Sequence, residues 1–200
     1  THEHIDHVKG VDVLARTCNM PIVATKGTID NCFLCSNPEL INRIRKNETT
    51  KIAGLEVEAF SKSHDGQEPI SFKINNDKSL SIITDLGKVC NNVIDAVSDS
   101  DFLVIESNHD PKMLAEGRYP YFLKNRISSE LGHLSNLKSV LCVLEHSRSK
   151  LKNLMLAHLS QNNNTPLLAM KTFSLLKERH DLHPKLMLSL RDQATGLMKI

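Results

Sequence analysis

The sequence predicts an α+β protein in which two β-sheets are covered by helices on their outer faces. Short β-rich runs and hairpins alternate with stretches of helical apolar spacing, and this order suits such layers. No internal repeat, low-complexity tract or linker divides the 200 residues, of which 40% are hydrophobic. A chain of this length and composition can bury one core, so residues 1–200 are predicted to form a single domain.

Helices are predicted from apolar spacing and from residues that favour helix starts. Ser135 or Asn136 can cap one helix, and Thr165 followed by Pro166 is a typical start for another. The predicted helices cover residues 8–17, 40–45, 135–144 and 166–177.

Strands are predicted from β-branched and apolar runs that end in polar residues. The polar turn Asn75-Asn76-Asp77-Lys78 joins two of them into a hairpin. Asp85 and the polar cluster that begins at Glu106 follow directly on strands. The predicted strands cover residues 21–24, 55–60, 70–74, 80–84, 102–105, 154–157, 186–190 and 196–200.

The segment Thr1-His-Glu-His-Ile-Asp-His7 carries the most specific chemical signal. His2, His4, Asp6 and His7 place three imidazoles and a carboxylate within six residues, a density that no packing role requires. Positions spaced by two do not share a helix face, so a common metal needs a loop geometry. The predicted helix that follows permits that geometry. The alternative is a His-rich, solvated terminus.

Three later residues weaken that alternative. His64, Asp85 and His158 each stand at the end of a predicted strand. Singly, each would be read as a hydrogen-bonded surface or core residue. Together with the first segment, they indicate one assembled metal site.

With the HxHxDH segment followed by His64, Asp85 and His158, the sequence resembles the metallo-β-lactamase superfamily over essentially its whole length. The resemblance implies an αββα sandwich of two mixed β-sheets with helices on the outer faces. Family members carry about two strands before the HxHxDH motif, so this chain is expected to lack its first N-terminal strands. Four segments are similar to a YycJ/WalJ-like branch: Glu106-Ser-Asn-His-Asp110, Tyr119-Pro-Tyr-Phe-Leu-Lys-Asn-Arg126, Gly132-His-Leu-Ser-Asn136 and His158-Leu-Ser-Gln-Asn-Asn163.

The same resemblance implies two divalent metal ions and their ligands. Zinc is expected first at a site rich in imidazoles, with manganese or iron as alternatives because a bridging carboxylate also suits them. Two cations bring the pKa of a shared water toward neutrality, and Asp6 would orient that water as a catalytic residue. The implied ligands are His2, His4 and His64 for one metal, Asp6, His7 and His158 for the other, and Asp85 as the bridge.

Five more residues are candidates with open alternatives. Gly132-His133-Leu-Ser135 is similar to a segment that assists at phosphate in phosphodiesterase members, so His133 is predicted to donate a proton or clamp phosphate; a local cap is the alternative. Glu106 and His109 fall where the same phosphodiesterase members keep a supporting acid and histidine. A purely structural hydrogen-bonding role is the alternative. Lys124 and Arg126 are candidates for contacting a phosphate backbone, although a solvated helix face is the commoner explanation.

The expected function is that of a metal-dependent phosphodiesterase, a nuclease acting on DNA or RNA ends, with nucleic acid as the partner. A hydrolase of carbonyl esters, either a glyoxalase II-like thioesterase or a lactonase, is the alternative, because a metal site alone does not name its substrate. A non-catalytic truncated paralogue is the third hypothesis.

Composition adds only broad limits. A net charge of +2 neither demands nor excludes a polyanionic partner, and the oligomeric state is not indicated. The apolar runs fall short of the roughly 20 residues that cross a bilayer, so no membrane association is expected. Five scattered cysteines form no disulfide framework, which favours the cytoplasm.

Overall fold

The computed structural model describes residues 1–179 and 181–198 of the chain. Within these ranges the helices are α1 (Ile5–Val8), α2 (Val11–Cys18), α3 (Lys26–Asn31), α4 (Asn91–Ser98), α5 (Pro111–Glu116), α6 (Tyr121–Ser128), α7 (Asn136–His146) and α8 (Pro166–Phe173). The strands are β1 (Ile22–Ala24), β2 (Ile41–Arg43), β3 (Glu48–Ile52), β4 (Leu55–Ser61), β5 (Ile70–Asn75), β6 (Ser79–Ile83), β7 (Phe102–Glu106), β8 (Asn153–Ala157) and β9 (Lys185–Leu188). Among the described residues, no helix has the length and apolar character to span a bilayer.

Seven of these strands form one mixed sheet in the order β3-β4-β5-β6-β7-β8-β9. Pairing is antiparallel from β3 to β6 and parallel from β6 to β9. Parallel neighbours need crossover connections, and the helices from α4 to α8 lie within them. Strands β1 and β2 pair in parallel as a separate small sheet.

The two faces of the large sheet pack against different layers. On one face, residues such as Ile83, Leu103 and Leu154 pack in one core with apolar residues of α4, α7 and α8. On the other face, Ala59 and Ile70 pack with residues of the small-sheet region. A large mixed sheet flanked by helices confirms the predicted α+β fold class.

Most predicted strands and two predicted helices are confirmed. The polar turn at residues 75–78 closes an antiparallel hairpin of β5 and β6. Ser135 and Thr165 cap α7 and α8, because their hydroxyl groups accept hydrogen bonds from the amides of Lys138 and Leu168.

The helix predicted over residues 40–45 is wrong. A 3₁₀ turn, Pro38–Leu40, ends there, and β2 follows with Ile41 opposite Ile22 of β1. Pairing with a distant strand overrides the local pattern. The helix predicted over residues 8–17 is interrupted at Lys9 and Gly10, because α1 ends at Val8 and α2 begins at Val11.

The C-terminal strand predictions hold in part. Strand β9 covers the start of the predicted run 186–190 and ends at Leu188. Residues 196–198 form no strand, and the remainder of the predicted strand 196–200 lies outside the described residues.

The loop after β6 passes directly against the segment before α7. A Cβ added to Gly87 would lie 2.3 Å from the carbonyl oxygen of Glu130 and 2.6 Å from the amide nitrogen of Gly132. We expect Gly87→Ala to lower the free energy of unfolding by about 1–3 kcal/mol, because backbone atoms must shift to admit the methyl group. Urea denaturation measures the change. Gly10→Ala is the matched control, since its Cβ would meet nothing within 4 Å; equal losses in both variants would contradict the packing argument.

Candidate metal centre

The seven predicted metal-binding residues converge at one edge of the large sheet. His64, Asp85 and His158 follow β4, β6 and β8, whose carboxyl ends lie at this edge. The amide of Ile70, at the start of β5, donates to the carbonyl oxygen of Thr1 at 3.1 Å, which fixes the HxHxDH segment beside them.

The first group consists of three histidines. His2, His4 and His64 each offer a ring nitrogen within 4.8 Å of the others. His64 Nε2 lies 3.3 Å from His4 Nδ1. His2 Nε2 is buried and makes no hydrogen bond to any described residue. An orphaned imidazole nitrogen facing other imidazoles fits a divalent metal ion.

The second group adds carboxylates. Asp6, His7, Asp85 and His158 also present ligand atoms within 4.8 Å of one another. The Asp85 carboxylate lies between the groups: its Oδ2 is 3.2 Å from His7 Nε2, and its Oδ1 is 3.5 Å from His158 Nε2 and 3.9 Å from His64 Nε2. The residues present therefore fit two cations that share Asp85.

Outer partners fix the orientation of four of the five rings. Thr1 Oγ1 hydrogen-bonds with the Nδ1 atoms of His2 and His7, at 3.0 and 3.1 Å. His64 Nδ1 lies 3.1 Å from the carbonyl oxygen of Gly132, and His158 Nδ1 lies 2.6 Å from Glu106 Oε1. With Nδ1 engaged outside, each ring presents Nε2 to the centre.

Two of the predicted ligands adopt a strained backbone. Asp85 has a φ of 56° and His158 a φ of 57°, both in the left-handed region. Asp85 is the second residue after β6 and His158 is the first after β8, where the chain must turn sharply. Left-handed residues other than glycine persist only where their surroundings hold them, and they cluster at functional sites.

Glu106 links several residues around the centre through hydrogen bonds. This fully buried carboxylate accepts from five donors: the amides of Asp85, Leu86 and Leu134, and the Nδ1 atoms of His133 and His158. Burial opposes ionisation, but the two histidines outweigh it and lower the pKa of Glu106 to about 2. Glu106, for which the sequence leaves open a supporting role or structural hydrogen bonding, therefore contacts His133, His158 and the amide of Asp85.

Sequence reasoning did not identify Lys62, which lies under the centre. Its ammonium group is buried, donates to the carbonyl oxygen of Thr84 at 2.7 Å and lies 3.9 Å from Asp85 Oδ2. Burial lowers the pKa of Lys62, and the charges of Asp85 and Glu106 oppose that shift. Nothing in the local sequence distinguishes Lys62 from a surface lysine, because only the fold encloses it.

Charge at the centre is divided between neutral rings and ionised carboxylates. Burial and the charge of Lys62 lower the pKa of His2 to about 2, and burial lowers that of His64 to about 4. Burial disfavours ionisation of Asp85, yet its contact with His7 and the charges of His158 and Lys62 lower its pKa overall. Neutral imidazoles and ionised carboxylates are the forms that bind metals.

His158 differs from the other rings. Burial acts to lower its pKa, but Asp6 and Glu106 outweigh burial and raise the pKa to about 10. The two flanking carboxylates therefore favour the imidazolium form of this ring.

The two remaining candidate histidines, His133 and His109, differ in their relation to the centre. The ring of His133 is 5.2 and 5.3 Å from the rings of His64 and His158, and its Nδ1 lies 2.9 Å from Glu106. His109 is buried, belongs to none of the metal-capable groups among the described residues, and has its pKa lowered to about 4 by burial.

The two candidates for phosphate contact, Lys124 and Arg126, each donate a hydrogen bond to a protein acceptor. Lys124 donates to the carbonyl oxygen of Ala115 at 2.6 Å. Arg126 donates to Asp65 Oδ2 at 2.6 Å, which ties α6 to the loop that carries His64.

A buried polar network joins the loops around the centre. Asn136 and Asn164 hydrogen-bond each other through both amide groups, at 2.8 and 2.9 Å. Ser107 donates to Asn136 Oδ1 at 2.6 Å. This network connects the loops after β7 and β8 to the start of α7, which explains why polar residues occupy these buried positions.

Asp6, His7 and His158 open onto a groove of about 720 Å³. Gln161 and Arg191 also line this groove. A groove of this size leaves these three side chains accessible to a ligand.

The fold and this centre define a class of metal-dependent hydrolases. A family model described as beta-lactamase superfamily domain matches residues 1–158. The chain belongs to this superfamily, as the sequence analysis predicted. The solved metallo-beta-lactamase fold protein YhfI from Bacillus subtilis shares the fold, with a TM-score of 0.65 at 12% identity, over 94% of this chain and 72% of that one.

Two curated relatives are more similar in sequence. Exodeoxyribonuclease YycJ from Bacillus anthracis is 35% identical over 206 residues, which cover 93% of this chain and 76% of the relative. Exodeoxyribonuclease WalJ from Streptococcus pneumoniae serotype 2, strain D39, is 34% identical over 181 residues, which cover 86% of this chain and 66% of the relative. These relatives confirm the predicted YycJ/WalJ-like branch.

Proposed function

We propose that the chain binds two divalent metal ions and hydrolyses phosphodiester bonds at DNA ends. The position of the Asp85 carboxylate between two groups of imidazoles carries this proposal. The similarity to two proteins named exodeoxyribonucleases supports DNA as the substrate. Zinc is the first choice because five imidazoles converge, with manganese or iron as alternatives.

The proposed ligands follow the two groups: His2, His4 and His64 for one ion, Asp6, His7 and His158 for the other, with Asp85 shared. When bound, two such ions would supply Lewis acidity and would lower the pKa of a water molecule at the centre. The protein's own residues orient the reactants. Asp6 is 61% exposed at the groove and would accept a hydrogen bond from the attacking water.

His133 is the proposed proton donor to the leaving oxygen. Its Nδ1 is held by Glu106, so Nε2 is the nitrogen free to act on a substrate. We expect His133→Ala to lower kcat by about 10²–10⁴-fold, the range for general acid–base catalysis, with both metals retained. Steady-state kinetics and metal analysis test this together. Loss of metal along with activity would instead make His133 a ligand.

The proposed setting is the cytoplasm, where DNA is available. All five cysteines are free in the structure, which fits a reducing compartment.

The deciding experiment measures cleavage of bis(p-nitrophenyl) phosphate and of end-labelled DNA by metal-free protein to which zinc or manganese is added back. We expect cleavage only with metal, and its loss on chelation. Two bound metals without phosphodiester cleavage would overturn the proposal and direct the same assay to thioesters and lactones.

A further inference from the structure

We propose that Asp65 orients His4 in the metal centre and that Arg126 anchors Asp65. The inference rests on the proposed metal centre and adds to it two positioning residues. No metal-ligating role is assigned to either.

The orientation of His4 is the reverse of that of the other rings. His2, His7, His64 and His158 have Nδ1 engaged outside and present Nε2 inward. His4 instead points Nδ1 at His64 Nε2, 3.3 Å away. Two ligands of one tetrahedral metal ion at about 2.0–2.1 Å stand roughly that far apart. His4 would therefore coordinate a metal ion through Nδ1, and its Nε2–H would need an outer acceptor.

Asp65 is positioned to be that acceptor. Its Oδ1 lies 3.5 Å from His4 Nε2, is buried, and has no hydrogen-bond partner in the described part of the chain. The same oxygen is 3.4 Å from His64 Nε2. A metal-binding histidine almost always donates its other N–H to a carboxylate, carbonyl or water, and among the contacts of His4, Asp65 supplies the carboxylate.

Arg126 fixes the second oxygen of Asp65. Its Nε donates to Asp65 Oδ2 at 2.6 Å from α6, 61 positions along the chain. This charge-assisted bond keeps Oδ1 directed at the histidines. The sequence makes Arg126 a candidate for contacting phosphate or a residue of a solvated helix face; its bond to Asp65 supports a positioning role beside the first metal group.

The test is zinc affinity, measured by competition with a chromophoric chelator, with the visible spectrum of the cobalt-loaded protein as a second readout. We expect Asp65→Ala to weaken one of the two zinc-binding steps by about 10–100-fold and to leave the other unchanged. Asp65→Asn, whose amide oxygen still accepts from His4, should recover part of the loss. Arg126→Gln should shift affinity in the same direction by less.

The matched control is Asp12→Ala, which breaks a two-bond Asp–Arg pair with Arg16 on α2. It should leave zinc affinity unchanged, and thermal unfolding of the metal-free variants confirms that each is folded. If the wild type binds two zinc ions and Asp65→Ala binds them with the same affinity, this inference alone is overturned. Failure of the wild type to bind two ions overturns the proposed centre itself. An Arg126→Gln variant that changes only the KM for DNA removes Arg126 from the inference.

Discussion

Replacing Asp85 with asparagine is expected to abolish metal-dependent phosphodiester cleavage and to remove the binding of a second metal ion. The Asp85 carboxylate lies between the two groups, and asparagine removes its negative charge and one of its two oxygen donors. The loss of kcat should exceed the about 10–100-fold typical when only a supporting residue is removed.

Asparagine is preferred to alanine here for a structural reason. Asp85 has a φ of 56°, a conformation that asparagine adopts more readily than alanine, so the variant isolates the charge from the backbone. Asp99→Asn is the control, since Asp99 pairs with Lys73 and Lys150 at the surface. Zinc titration and single-turnover cleavage make the comparison; two tightly bound ions in Asp85→Asn would exclude Asp85 as the bridge.

Glu106→Ala is expected to cause the largest loss of stability. Three buried amides, those of Asp85, Leu86 and Leu134, lose their acceptor, and each such loss costs about 1–3 kcal/mol. We therefore expect the free energy of unfolding to fall by roughly 3–5 kcal/mol, the range for removing one partner of a buried charged pair. Urea denaturation measures it, with Glu116→Ala on an exposed helix end as control. Similar stability of the two variants would contradict the role of Glu106.

Acid should remove the contribution of ionised Glu106 to the free energy of unfolding in a defined pH range. Its folded-state pKa is lowered from 4.5 to about 2, so the stabilisation is complete above pH 4.5 and is lost as the pH falls toward 2. The difference in unfolding free energy between wild type and Glu106→Gln should therefore narrow over this interval. A constant difference would show that ionisation of Glu106 contributes nothing.

Much of the fold was predictable because strands and helices with clear caps carry local signals. Ser135 and Thr165 are N-cap residues, and they predict the starts of α7 and α8 from the local sequence alone. Strand β2 was not predictable in this way, because its conformation depends on pairing with β1. The supporting residues follow the same division: Asp65 and Lys62 gain their roles from partners that only the folded chain brings near.

The left-handed backbone at Asp85 and His158 has a consequence for how the centre is loaded. Residues held in such conformations cost about 1–3 kcal/mol each, and the packed strands beneath supply that energy when the chain folds. We therefore expect the ligand geometry to be established before an ion binds. Metal ions should then bind to a preformed site, and the circular dichroism of the protein should change very little on binding.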